Sequence, residues 1–230
     1  MIFLISELLP DVCAAALSEY GECVRLNGSA VLPMPVRYHP DMLAATVGST
    51  VFVGADNEKT AQALSRMGID CRMCAAKTGI SYPYDAILNI LDLGTHLFCR
   101  EKSVCPETVG CAREAGRIIV PVAQGYTACS TATVGGGIIT SDAGIYAAAC
   151  KNGIDALLIS PGGIDLPPYE YGFIGGACCE TDDALIFFGD IKKHRDHGAI
   201  SDFCRAHGKD CRSVGDFALT DFGGARRITK

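Results

Sequence analysis

The stretch Gln124-Gly125-Tyr126-Thr127-Ala128-Cys129-Ser130-Thr131-Ala132-Thr133-Val134-Gly135-Gly136-Gly137-Ile138-Ile139-Thr140, continued through Asp142 to Gly163, carries the plan of the whole chain. Small and β-branched residues from Ala128 to Val134 favour a strand, and the three glycines after it make a turn. Ile138–Thr140 reads as a second strand. Asp142 can cap a helix over Ala143–Asn152, and Gly153 suits the positive φ at which helices commonly end. Ala156–Ile159 then forms a third strand before Pro161-Gly162-Gly163. The unit is strand–turn–strand–helix–strand.

Outward from this stretch the same order recurs, which makes internal repetition the primary fact of the sequence. Helices are predicted at Pro10–Tyr20 before Gly21, Asn57–Met67 before Gly68, Pro106–Ala115 before Gly116 and His197–His207 before Gly208. Asp56 and Asp196 offer further caps, while Pro10 and Pro106 suit a first helical turn. Leu64 and Met67, like Ile200, Phe203 and Cys204, have the spacing of a face turned toward a sheet. Trailing strands are expected at Cys23–Leu26, Ile69–Met73, Ile118–Val122 and Cys211–Val214. Central strands are expected at Ile2–Ile5, Val51–Val53, Leu97–Cys99 and Leu185–Phe188.

Leading strands are expected at Met42–Val47, Ala86–Leu91, Ala128–Val134 and Phe173–Cys179. The first unit has none ahead of it, and the segment Phe217–Thr229 is expected to supply one by pairing with Ile2–Ile5. Tyr38, Tyr84 and Tyr126 each stand ten residues before a turn glycine, Gly48, Gly94 and Gly136, and Tyr171 holds the matching place in the last unit. No composition shift or linker divides the chain, so residues 1–230 read as one domain. One unit cannot bury a helix stripe and a sheet face alone. Five in a ring can, and closure removes exposed strand edges. The expected fold class is α/β: a five-bladed, pseudo-symmetric α/β propeller.

Composition limits the function classes. Of 230 residues, 49% are apolar and 20% charged, with a net charge of −6 and no Lys/Arg-rich tract. Binding to nucleic acid or to an anionic membrane surface is therefore not expected. The start, Met1 to Ser6, lacks the basic flank of a signal peptide, and Glu7 interrupts it. Thirteen cysteines without regular spacing read as reduced thiols of a cytoplasmic protein.

The motifs His39-Pro40-Asp41-Met42, Gln124-Gly125-Tyr126 with Cys129-Ser130, and Tyr171-Gly172-Phe173-Ile174-Gly175-Gly176 resemble those of an uncharacterised bacterial family. That family is placed in the pentein superfamily, whose fold is that of the guanidino-group-modifying enzymes. The resemblance runs from about Val31 to Gly224 and implies the fivefold fold. Known pentein enzymes use a cysteine nucleophile near the C-terminus, a histidine, and acidic residues that hold a guanidinium. This chain departs from them. The end Gly223-Gly224-Ala225-Arg226-Arg227 resembles the Gly-Gly-x-Arg-Cys of arginine deiminases, but Arg227 stands where the cysteine would be. No His-x-Asp pair occupies the leading strand of the fourth unit, where Ala128-Cys129-Ser130-Thr131 stands.

The tyrosine register aligns His39, Asp85, Thr127 and Gly172 one place on, and Asp41, Ile87, Cys129 and Ile174 three places on. In a pentein-like ring these positions would meet at the central channel. Asp41 and Asp85 could hold a cationic group or orient His39, with Asn89 adding a hydrogen bond and Tyr126 and Tyr171 further contacts. Cys129 would be the catalytic nucleophile and His39 its partner, provided that the thiol pKa is lowered. The plainer reading makes the aspartates strand-start turn formers and Cys129 core. Glu170 reads as a solvated loop residue, with a place at the same channel mouth as the alternative, and Asp142 as a cap, while Asp221 fits a turn or the closure equally.

No cofactor or metal is expected. Cys71-Arg72-Met73-Cys74 lacks a second pair at zinc distance, and its cysteines point to opposite faces of a strand. Cys178-Cys179 are opposite-facing too, and His194–His197 reads as a solvated helix start beside Lys192 and Lys193. Neither a dinucleotide-type glycine fingerprint nor a G-x-S-x-G elbow occurs. Two functions stay open. One is a non-enzymatic protein binding a small polar, cationic ligand of guanidino or amidino type in the channel. The other is a hydrolase or transferase acting on such a compound through Cys129. The number of subunits is left open.

Overall fold

The computed structural model describes residues 1–228. The first unit contains β1 (Ile2–Ser6), α1 (Asp11–Ser18) and β2 (Glu22–Leu26). The second follows as α2 (Pro40–Leu43), β3 (Ala45–Val47), β4 (Thr50–Val53), α3 (Glu58–Arg66) and β5 (Cys71–Met73). The third comprises β6 (Leu91–Asp92), β7 (His96–Cys99), α4 (Pro106–Glu114) and β8 (Ile118–Pro121). The fourth is β9 (Thr131–Val134), β10 (Gly137–Thr140), α5 (Ala143–Lys151) and β11 (Ala156–Leu158). The fifth is β12 (Cys178–Glu180), β13 (Ala184–Asp190), α6 (His197–Ala206) and β14 (Asp210–Ala218), and β15 (Ala225–Ile228) ends the described chain.

These strands make five three-stranded sheets with one plan. The central strand of each pairs antiparallel with a leading strand and parallel with the strand after its helix. In the first sheet the leading place is taken by β15, whose Ile228, Arg227, Arg226 and Ala225 pair with Ile2, Phe3, Leu4 and Ile5. The expectation that the 217–229 segment pairs with Ile2–Ile5 is met by its last strand; Thr229 lies outside the described residues.

The central strands explain where the cores sit. They are continuous apolar runs, Ile-Phe-Leu-Ile in β1 and Leu-Ile-Phe-Phe in β13, because helices and neighbouring sheets cover both of their faces. Alternate residues face opposite ways. Thus Ile2 and Leu4 join one cluster with Val51 and Val53 of β4, while Phe3 and Ile5 join another with Ile186 and Phe188 of β13. Phe52 of β4 meets Leu97 and Cys99 of β7, Phe98 of β7 meets Ile138 of β10, and Ile139 meets Leu185 and Phe187 of β13. Four of the five clusters draw on two units consecutive in sequence, or on the fifth and the first; the one that joins the first and second units also takes in Cys129 of the fourth. Leu64, Ile200 and Cys204 are buried as their helical spacing predicts, with Met67 and Phe203 packed beside them.

Several local expectations need correction. The leading strands begin later than predicted, because each is preceded by a helical turn. Met42 and Leu43 lie in α2, Ser130 N–H donates to the Tyr126 carbonyl at 2.9 Å, and Gly175–Ala177 is a 3-10 turn. Proline at the first helical position favours this start at Pro40. Of the helix-stop glycines, Gly68, Gly116, Gly153 and Gly208 have positive φ, but Gly21 does not. Gly21 is needed for close approach instead, since a Cβ there would collide with the Met1 carbonyl. Asp142 caps α5 by accepting from Ile145 N–H at 2.9 Å. Asp56 and Asp196 accept instead from the backbone N–H of Thr78 and Ser160 across loops. Pro10 precedes the helix rather than entering its first turn.

Candidate functional site

The turns that precede the leading strands place side chains around one cavity of about 370 Å³. His39 stands just before α2, Asp85 ends the turn after Ser81, and Cys129 lies in the turn closed by the Ser130–Tyr126 hydrogen bond. His39, Asp85, Tyr126, Cys129 and Tyr171 all line the cavity. Asp41 and Asn89, also expected to contact a ligand, lie behind this wall with no exposed surface. The register holds for burial: His39, Asp85, Thr127 and Gly172, and Asp41, Ile87, Cys129 and Ile174, are all buried. The tyrosines themselves diverge, for Tyr84 is exposed and Tyr126 half-buried.

Asn89 ties three units together. Its amide nitrogen donates to the Asp41 carbonyl at 3.0 Å and to the Cys129 Sγ at 2.9 Å. Its oxygen accepts from the backbone N–H groups of Ala128 at 2.7 Å and Cys129 at 3.3 Å. A fully buried amide must satisfy its polar atoms this way or carry a large desolvation cost. Its role is to set the position of Cys129 against Asp41.

The acidic groups are unevenly satisfied. Asp221 accepts from Phe173 N–H at 2.8 Å and from Gly223 N–H at 2.9 Å. Its Oδ1 lies 3.6 Å from the Nδ1 of His39, and Asp41 Oδ1 lies 4.0 Å from the same nitrogen. Neither oxygen of Asp41 has a hydrogen-bond partner among the described residues. Burial, above all, pushes the Asp41 carboxyl up to about 6; His39 and Arg226 oppose that rise and Asp221 adds to it. Asp85 accepts from the Tyr126 hydroxyl at 2.8 Å, and its other oxygen is buried and unpartnered. Burial raises Asp85 against that hydrogen bond, while burial and then Asp85 raise Tyr126. Cys129 is pushed well above an ordinary thiol by burial first, then by the charges of Asp41 and Asp221.

The rest of the wall is aromatic, acidic and, through Pro33, Val36, Met42 and Leu166, aliphatic, with Tyr82 packed behind Tyr126. Phe173 lies 6.5 Å and Tyr82 5.4 Å from the Tyr126 ring, centroid to centroid, and Tyr169 and Glu170 come from the loop before Tyr171. Glu170 is exposed, as a solvated loop residue would be, and it also lines the cavity, the alternative place for it. Asp221 was legible only as a turn or closure residue. The signal that could have found it is the glycine content around it: a Cβ at Gly172 or Gly176 would collide with its side chain.

Other sequence-marked groups lie elsewhere. His194 is buried, not solvated; its Nδ1 accepts from Asp196 N–H at 3.1 Å, so it folds inward as a turn-forming side chain. Cys71 and Cys74 do diverge, yet Cys74 meets Cys105 and Glu107 from the next unit, with donor atoms within 4.8 Å of one another. All thirteen cysteines are free thiols.

A fold with this site defines a class before it defines a reaction. The structure resembles the crystal structure of a dimethylarginine dimethylaminohydrolase in adduct with S-methyl-L-thiocitrulline, with a TM-score of 0.59. That likeness covers 93% of this chain and 91% of the other at 10% identity, and so it supports a pentein-like α/β fold. Residues 4–225 match the profile of a family described as a family of unknown function, DUF6873, and the chain belongs to that family. No curated protein matches it. Among the described residues no helix is long and apolar enough to cross a membrane.

Proposed function

We propose that the five units close into a ring and that the protein binds a small cation of guanidino or amidino type at one end of it. Closure is supported by the β15–β1 pairing and by the cluster shared between the fifth and first units. The observation that carries the ligand class is the cavity wall. It holds Asp85, Asp221 and Glu170 but neither lysine nor arginine, and Tyr126, Tyr169, Tyr171 and Phe173 line it with them. Carboxylates in a partly closed, low-dielectric space repel one another, and a cation relieves that repulsion. Aromatic faces add cation–π attraction of about 0.5–2 kcal/mol each.

Asp85 is the direct ligand in this reading, because its buried oxygen lacks a partner. Asp41 acts from behind the wall, holding negative charge beside His39 and Cys129. Cys129 is a wall group, since its raised thiol pKa opposes formation of a nucleophilic thiolate. The runner-up, a cysteine-dependent hydrolase or transferase for guanidino or amidino compounds, is favoured by Cys129 and His39 sharing that wall. The dimethylarginine named for the structural neighbour belongs to the same ligand chemistry. Free thiols throughout support a reducing compartment such as the cytoplasm.

Calorimetric titration with methylguanidine and with its neutral counterpart methylurea tests the proposal. The guanidinium binds and the urea does not, and Asp85→Asn weakens binding roughly 10- to 100-fold, the worth of one charge-assisted hydrogen bond. Equal binding of the two compounds, or no effect of Asp85→Asn, would overturn it.

A further inference from the structure

A second cavity, of about 420 Å³, is lined by residues of all five leading strands, β3, β6, β9, β12 and β15. Each of these strands pairs on one side only, so unpaired backbone groups border the space. It shares no lining residue with the cavity that holds His39 and Asp85.

Its charges do not balance. Asp92 is committed to Gly48 N–H, Gly94 N–H and Arg117. Glu180 accepts from Gly135 N–H at 2.7 Å and pairs with Lys209 at 3.4 Å. Arg227 is held by Asp182 at 2.6 Å. That leaves Arg226, which lines the cavity and makes no hydrogen bond or ion pair among the described residues; its Nε is buried without a partner. Thr131 lines the same space with its buried hydroxyl oxygen also unpartnered. A buried donor left unmet costs about 1–3 kcal/mol, more for a charged group, so the pair is arranged for something that accepts.

We propose that this cavity binds a small oxyanion, a phosphate or carboxylate group, with Arg226 as its charge partner and Thr131 as a hydrogen-bond donor. The planar guanidinium fork matches two oxygens of either group. The hydroxyl of Thr131 rotates to donate as its role requires. The proposal does not rest on the cation reading of the other cavity.

Calorimetry at fixed ionic strength with inorganic phosphate, and separately with succinate, tests it. Saturable binding of at least one anion is expected, weakened about tenfold or more by Arg226→Met and unchanged by Asp85→Asn. Phosphate alone assigns a phosphate-bearing ligand, and succinate alone a carboxylate. Thr131→Val removes only the free hydroxyl and keeps the shape, so it serves if Arg226→Met does not fold; a severalfold loss is expected there too. The absence of saturable binding by the wild type, or affinity that either variant leaves unchanged, would overturn the proposal.

Discussion

Replacing Asp41 by Asn should stabilise the protein at alkaline pH and change it little at acid pH. Asp41 is wholly buried, its oxygens lack hydrogen-bond partners, and its carboxyl is pushed up to about 6 from an ordinary 3.8. The folded state therefore holds a proton between those values that the unfolded chain has released. Stability falls as pH rises through that window, because the folded state binds more protons there. Above pH 6 the full cost of a buried carboxylate is present. A rise of about two pKa units corresponds to roughly 3 kcal/mol. Asparagine is nearly isosteric and carries no charge, so it escapes this cost.

The measurement is urea unfolding of wild type and Asp41→Asn at pH 4 and pH 8. The quantity of interest is the difference between the two proteins at one pH minus that at the other. Every other titrating group contributes to both proteins and largely cancels, leaving the term that belongs to Asp41. That double difference should favour the variant by roughly 3 kcal/mol at pH 8. A double difference near zero would refute the reasoning, and so would one of opposite sign, which would mean that His39 holds Asp41 ionised more firmly than burial opposes it.

Two other outcomes follow from burial and strand pairing. Alkylation by iodoacetamide at pH 8, read by mass spectrometry, should label exposed Cys150 in the native protein and leave Cys129 unlabelled until unfolding; rapid native labelling of Cys129 would revive the nucleophile reading. Deleting residues 225–230 removes β15, uncovering the edge of β1 and losing the buried Ile228. Roughly 3 kcal/mol or more of stability should go, lowering the melting temperature by about 6–12 °C, and an unchanged melting temperature would show that β15 does not hold the first unit.

The repeat was legible because its markers are local. Helix-stop glycines, apolar central runs and turn glycines each follow from backbone chemistry within a few residues, and five copies reinforced one another. The strand starts were not, since Ala86–Leu91 has the composition of a strand while the turns before β6 leave only Leu91 and Asp92 in it. Propensity lost there to hydrogen bonds that close a helical turn. The register brought His39, Asp85 and Cys129 to one wall, but it carries no information on depth. Asp41 and Asn89 differ from their neighbours by which side of the turn they face, and that is decided by contacts from other units. Asp221 belongs to a loop outside the register, so only the folded chain shows it beside His39; Glu170, next to Tyr171 in the register, lines the same cavity.

The segment 221–228 carries groups of both cavities. At Arg227 the strand is committed to pairing with β1 and to the Asp182 ion pair. Just before it, Asp221 reaches His39 at one cavity, and Gly223 accepts the Asp41 N–H at 3.2 Å. Just after Gly224, Arg226 turns into the other cavity, yet its charge still lowers the carboxyl of Asp41. Neutralising Arg226, by substitution or by a bound anion, would remove one of the few positive charges that Asp41 feels. The two cavities therefore share an electrostatic wall made from a single short segment.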